Sequence, residues 1–131
     1  MVTEDYVSYE TSKLLKEKGF DCKKESITAM YREDGEFYSL SSSDNYYYDY
    51  NDFDEYDYIA PTLQMAMKWL REEKGIAVIP VISSVLDNEK FLWDVKVAVA
   101  KTNGTYSQGW VYEKQEDACE TAVKYCLENL I

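Results

Sequence analysis

The chain has 131 residues, 46% of them apolar and 30% charged, and a formal net charge of −11. That length fits one domain or a core with a small companion unit, and no window approaches ~18 consecutive apolar residues, so a membrane-spanning helix is excluded. The acidity repels nucleic-acid phosphates and anionic lipid, so neither direct nucleic-acid binding nor membrane association is expected. MVTEDYVSYE carries acids where a signal peptide needs bases and an apolar run. Three cysteines, Cys22, Cys119 and Cys126, are too few for a disulfide framework and read as reduced thiols of a cytoplasmic protein.

The charge is uneven. Residues 1–60 hold six Lys/Arg against fifteen Asp/Glu, and residues 61–131 hold eight against ten. Two segments are expected: 1–60 with a helix, a hairpin and an acidic loop, and 61–131 as an α-β-β-β-α core, together one compact domain. Ser8 is placed to cap a helix over about 8–18, and Gly19 to end it. That helix is too short to stand alone and must dock its Leu14/Leu15 edge. Ile27, Ala29 and Tyr31 alternate, Asp34-Gly35 predicts a two-residue turn, and Phe37 and Leu40 return as the second strand of a hairpin.

Residues 44–58, DNYYYDYNDFDEYDY, pack six acids and six tyrosines into fifteen positions without one basic residue. A solvated loop explains the composition, because acidic runs are usually hydrated surface. A calcium site needs more. Counted from Asp49, the sixth and twelfth positions of an EF-hand loop require Gly and Glu, but here they are Asp54 and Ala60. The remaining reading is a recognition surface made of Asp44, Tyr46, Tyr47, Tyr48, Asp49, Tyr50, Asp52, Phe53, Asp54, Glu55, Tyr56, Asp57 and Tyr58. Tyrosine covers much area at low entropic cost, and carboxylates between the rings suit a partner protein with a basic Arg/Lys surface.

Pro61 or Thr62 opens a second helix, whose Leu63, Ala66, Met67 and Leu70 recur at i, i+3, i+4 and i+7. Gly75 stops it. Ile76–Ile82 reads as a strand, and Pro80 assigns it to a sheet edge. Asp87-Asn88 marks the connection to a central strand. There Phe91, Trp93, Val95, Val97 and Val99 form one buried face. Asn103-Gly104 turns the chain into a third strand containing Tyr106, Trp110 and Tyr112. The last helix starts near Gln115, with Glu116 and Asp117 in its first turn. Its apolar face runs through Ala118, Cys119, Ala122, Val123, Cys126, Leu127 and Leu130. Cys119 and Cys126 share that face, where two thiols without histidine are better read as small hydrophobes than as a metal site.

The fold class expected is α+β, with an N-terminal helix and β-hairpin followed by an α-β-β-β-α unit whose helices pack on an antiparallel sheet. That order in residues 61–131, with the closing helix ACETAVKYCLENLI, resembles the double-stranded-RNA-binding domain. The family reads phosphates with lysines at the start of that helix. Here Glu113-Lys114-Gln115-Glu116-Asp117 stands instead, so the resemblance implies the fold without its RNA site. VSYETSKLLKEKGF, APTLQMAMKWLREEKGI and ACETAVKYCLENLI also resemble a group of small acidic proteins of gut Bacteroidales and their mobile elements. This second resemblance implies the same element order and no activity.

No histidine, glycine-rich phosphate loop, nucleophile elbow or metal-ligand spacing is present, so neither an enzyme nor a cofactor is expected. A non-enzymatic interaction module is the favoured class. Its alternative is a nucleic-acid mimic that inhibits a DNA- or RNA-binding protein, and a carboxylate enzyme or cation binder ranks below both. The chain is expected to be a monomer or weak homodimer. Changing Asp49, Asp52, Asp54 and Asp57 to Asn is expected to spare folding and weaken capture of a basic partner.

Overall fold

The computed structural model describes residues 5–23, 26–39, 55–86, 89–107, 109 and 111–131. The described chain is α+β, with three helices and two three-stranded antiparallel sheets. It divides into two compact units, Met1–Thr62 and Leu63–Ile131. Pro61 and Thr62 hold to the first unit, because Val7 N–H donates to the Pro61 carbonyl (3.0 Å) and Tyr6 bridges Thr62.

In the first unit α1 spans Tyr9–Glu17. Ser8 caps it, its Oγ accepting from Thr11 N–H at 3.2 Å. Gly19, at φ +89°, lets the chain leave. Phe20 N–H then returns to the Leu15 carbonyl and Gly19 N–H to that of Lys16, the paired bonds of a glycine-terminated helix. Leu15 and Phe20 are buried on the side of α1 that packs on the small sheet.

That sheet holds β1 (Ala29–Tyr31), β2 (Phe37–Ser39) and β3 (Tyr58–Ile59) in the order β2-β1-β3. The β1–β2 connection differs from the expected two-residue turn. Such a turn needs positive φ at both centres, and only Gly35 has it, at +91°. Gly35 N–H donates to the Arg32 carbonyl and Arg32 N–H to that of Glu36, each at 2.9 Å. The loop is therefore Glu33–Gly35, a type I turn followed by a left-handed glycine. A Cβ at Gly35 would lie 3.3 Å from the Tyr9 ring, so the glycine also lets that ring close in. Leu40 lies outside the described residues.

In the second unit α2 (Leu63–Glu73) is followed by β4 (Ile76–Leu86), β5 (Lys90–Val99), β6 (Gly104–Ser107) and α3 (Gln115–Asn129). The strand order is β4-β5-β6, so β4 is an edge, as Pro80 predicts. Both helices pack against β4, and α3 also packs against β5. The stripe Leu63, Ala66, Met67 and Leu70 is buried, and so are Ala118, Cys119, Ala122, Val123, Cys126 and Leu127 of α3. Among the described residues, no helix is long and apolar enough to cross a membrane.

Three details depart from expectation. β4 runs on to Leu86, past Ile82, through a bulge between Ile82 and Ser84. The alternating face of β5 is buried only at Val95 and Val97, while Phe91 is 50% exposed. β6 ends at Ser107, and Gly109 has φ +68° before Tyr112 rejoins Trp93 in an isolated bridge. Trp93 and Lys96 are three residues apart on β5, while their partners Tyr112 and Ser107 are five apart. The extra length breaks the third strand. Trp110 lies outside the described residues.

Candidate functional site

The acidic tyrosine stretch falls partly within the described residues. Asp44, Tyr46, Tyr47, Tyr48, Asp49, Tyr50, Asp52, Phe53 and Asp54 lie outside them; Glu55, Tyr56, Asp57 and Tyr58 lie inside. These four show how the stretch is fastened to its unit.

Tyr58 begins β3, opposite Tyr31, with Ile59 opposite Met30. Sequence reading missed this strand. Its only signal is the change from acids to Tyr58-Ile59-Ala60, where alternation resumes for two residues. Asp57, just before it, faces inward and is 2% exposed. Arg32, at the end of β1, meets its carboxylate with Nη1–Oδ2 at 2.8 Å and also lies over the Tyr38 ring, 5.5 Å from its centroid. Lys16, in the last turn of α1, donates Nζ to the carbonyls of Glu55 and Asp57, the latter at 3.0 Å. The same ammonium lies 4.9 Å from the Tyr58 ring centroid. Tyr56 is 62% exposed and Glu55 is exposed.

Asp57 therefore departs from its expected place on the outer surface. A carboxylate removed from water needs a paired cation, and Arg32 supplies it from 25 residues away. Asn at this position would lose the ion pair, so Asp57 belongs to the anchor.

Aromatic rings continue the anchor across the small sheet. Tyr9 meets Tyr58 edge-on (centroids 5.7 Å, 77°) and Tyr31 at 5.5 Å, and Tyr31 meets Phe37 at 5.2 Å. The hydroxyls are directed to main-chain acceptors, Tyr9 to the Glu33 carbonyl (2.6 Å) and Tyr31 to that of Val7 (2.7 Å). Lys13 caps the Tyr9 ring at 4.4 Å. Three cations of the first unit, Lys13, Lys16 and Arg32, thus hold rings, carbonyls and one buried carboxylate.

A cleft of about 190 Å³ opens between Leu15, Phe20 and Ile59, with Lys16, Glu55 and Asp57 at its polar side. It is smaller than the roughly 300 Å³ at which small-molecule sites begin, and its lysine already has two carbonyl acceptors.

Among the described residues no three His, Cys, Asp or Glu cluster to hold a metal. Burial pushes the Cys119 thiol up to about 11, with Glu116 adding to it, and pushes Cys126 up to about 12. Burial and then Asp21 raise Cys22 as well. Metal ligation and nucleophilic attack need the thiolate, so the buried pair packs as neutral side chains at pH 7. At pH 8 a thiol reagent is expected to modify half-buried Cys22 first, and Cys119 and Cys126 only on unfolding. Immediate titration of all three would contradict this. Because these folded pKa values lie above the ordinary 9.0, the stability they confer is complete below pH 9. It is lost as pH climbs through about 11 and 12, so the Tm should fall on that side.

Compared with protein-family models, with curated proteins and with solved structures, the chain matches none.

Proposed function

We propose that this chain is a non-enzymatic interaction module that presents its acidic tyrosine stretch to a protein with a basic surface. The observation that carries the proposal is the charge imbalance of residues 1–60, fifteen acids against six cations. The disposition of those cations supports it. Lys13, Lys16 and Arg32 are engaged in anchoring, and of the stretch's carboxylates Arg32 pairs with Asp57. A basic partner would supply counter-charge to these acids, while tyrosines add area and cation–π contacts. The Lys16 bonds to the Glu55 and Asp57 carbonyls and the Arg32–Asp57 pair give the segment a fixed root, which lowers the entropy lost when a partner binds.

The test is affinity capture from the host lysate with the wild-type chain and with Asp49→Asn, Asp52→Asn and Asp54→Asn combined. Asp57 is left intact because of its buried pair. The triple variant should keep its Tm and lose partners that the wild type retains at low salt and releases at high salt. Recovery of the same partners by both chains would sink the proposal. Competition of the captured partner by DNA or RNA would narrow it to nucleic-acid mimicry.

A further inference from the structure

We infer that the outer half of β4, Ile82–Leu86, is a self-association edge on which two copies of this chain pair β4 with β4 antiparallel about a two-fold axis. The direction of the main-chain groups supports this. Trp93 exchanges both hydrogen bonds with Tyr112, N–H to O at 2.7 Å and O from N–H at 2.8 Å, so its polar groups point toward the third-strand side. Ala100 N–H points the other way, to the Gly75 carbonyl at 2.9 Å. Polar groups alternate along a strand, so Leu92, Asp94, Lys96 and Ala98 bond to β4, and their partners are Ser84, Val81, Ile79 and Ala77. The N–H and C=O groups of Ile76, Val78, Ile82 and Val85 face the outer edge, together with the Pro80 carbonyl, and among the described residues no strand pairs there. Pro80 therefore sits where its missing N–H costs the sheet nothing and removes one donor from the free edge. Beyond Pro80 that edge has no second proline, although the bulge between Ile82 and Ser84 interrupts it once.

Side chains lead to the same stretch. Residues directly opposite share a face, and the buried face runs through Val78–Val97 and Pro80–Val95. It continues outward as Ile82–Trp93 and Val85–Phe91. There Ile82 is 51% exposed and Val85 53%, with Phe91 edge-on to Trp93 at 6.0 Å. Ile82-Ser83-Ser84-Val85 breaks the period of two. The bulge absorbs one serine and returns Val85 to the apolar face beside Phe91.

The occupant follows from charge. Ile76–Leu86 contains no charged residue over eleven positions, in a chain of net −11. Edge strands are commonly protected by a charge, and this one has none. It offers no counter-charge to a basic or acidic partner. What matches it is an uncharged, apolar, extended strand, and β4 of a second copy is such a strand. Antiparallel pairing of β4 with its copy uses both free edges, so the assembly closes at two chains. The rest of each chain repels its copy, so salt should strengthen this contact, the opposite of its effect on capture of a basic partner.

The experiment is sedimentation of the full chain over a concentration series at about 0.05 M and 0.5 M salt. The mass should rise from one chain to two, at roughly tenfold lower concentration in the higher salt. Val85→Lys, and separately Val85→Pro, should each weaken the dimer at least tenfold. The proline removes an outward N–H and leaves the β5 ladder its bonds. A wild-type chain that stays monomeric throughout overturns the inference, as does a dimer that both folded variants keep. Amide exchange on the wild type needs no variant. Ile82 and Val85 should become slow only as concentration rises, while Val81 and Ser84 are slow throughout. Concentration-independent exchange at Ile82 and Val85 would also overturn it.

Discussion

Leu70→Ala is expected to lower the stability of the chain by about 3 kcal/mol. Leu70 is fully buried and ends the i, i+3, i+4, i+7 stripe that α2 turns inward. Removing its branched end forfeits the transfer energy of the deleted carbons and leaves a cavity whose walls relax only in part. The buried positions of α2 and α3 include several short side chains, Ala66, Ala118, Ala122 and Val123. Small side chains have little reach to refill a void, which places the expected loss in the middle of the usual range of roughly 2–5 kcal/mol. Leu70→Met, which keeps the volume, should cost less than about 1.5 kcal/mol. Denaturant titration of both variants checks the pair, and a loss below about 1 kcal/mol for Leu70→Ala would show that the site collapses freely.

Arg32→Ala is expected to cost about 2–3 kcal/mol, and more than Asp57→Ala, although the two residues form one ion pair. The asymmetry follows from burial. The Asp57 side chain is 3% exposed and that of Arg32 is 33% exposed. Without Arg32, a carboxylate shut away from water loses this counter-ion. Without Asp57, the guanidinium can turn toward water and still lie over Tyr38. The double variant should cost less than the sum of the singles, since a missing carboxylate no longer needs its cation. Equal costs that simply add would mean that the pair is screened like a surface salt bridge and worth about 0–1 kcal/mol. Because the pair roots β3, loss of Arg32 should also speed amide exchange at Tyr58 and Ile59.

Much of this architecture was readable from local chemistry. Ser8 and Gly19 bound α1 because a hydroxyl cap and a left-handed glycine act within a few residues. The α2 stripe, the edge position forced by Pro80 and the central strand around Val95 and Val97 follow from periodicity and a missing donor. What escaped depends on distance or on the end of coverage. Phe91 shares its alternating face with Val95 and is nonetheless half exposed, because alternation alone carries no record of where cover stops. The strand expected over Ile76–Ile82 runs further because a bulge repairs the pattern, and a bulge acts only once the facing strand is present. The Asp34-Gly35 pair signalled a turn correctly, while its length was set by the hydrogen bonds of Arg32.

The candidate site was less legible. Composition marked residues 44–58 as unusual, and it treated Asp57 and Tyr58 like their neighbours. Their roles differ because Arg32 and Lys16, distant in sequence, meet them in space. A run of acids contains no local sign of which one will be paired and buried.

Calorimetric titration of the full chain with a Lys/Arg-rich peptide tests the interaction reading most directly. The wild type should bind at about 0.05 M salt and lose roughly tenfold in affinity by about 0.3 M. The folded triple variant Asp49→Asn, Asp52→Asn, Asp54→Asn should bind at least tenfold more weakly than the wild type at low salt. Equal affinity of the two chains for the peptide, or no binding by the wild type at low salt, would contradict a basic partner recognised through the acidic tyrosine stretch.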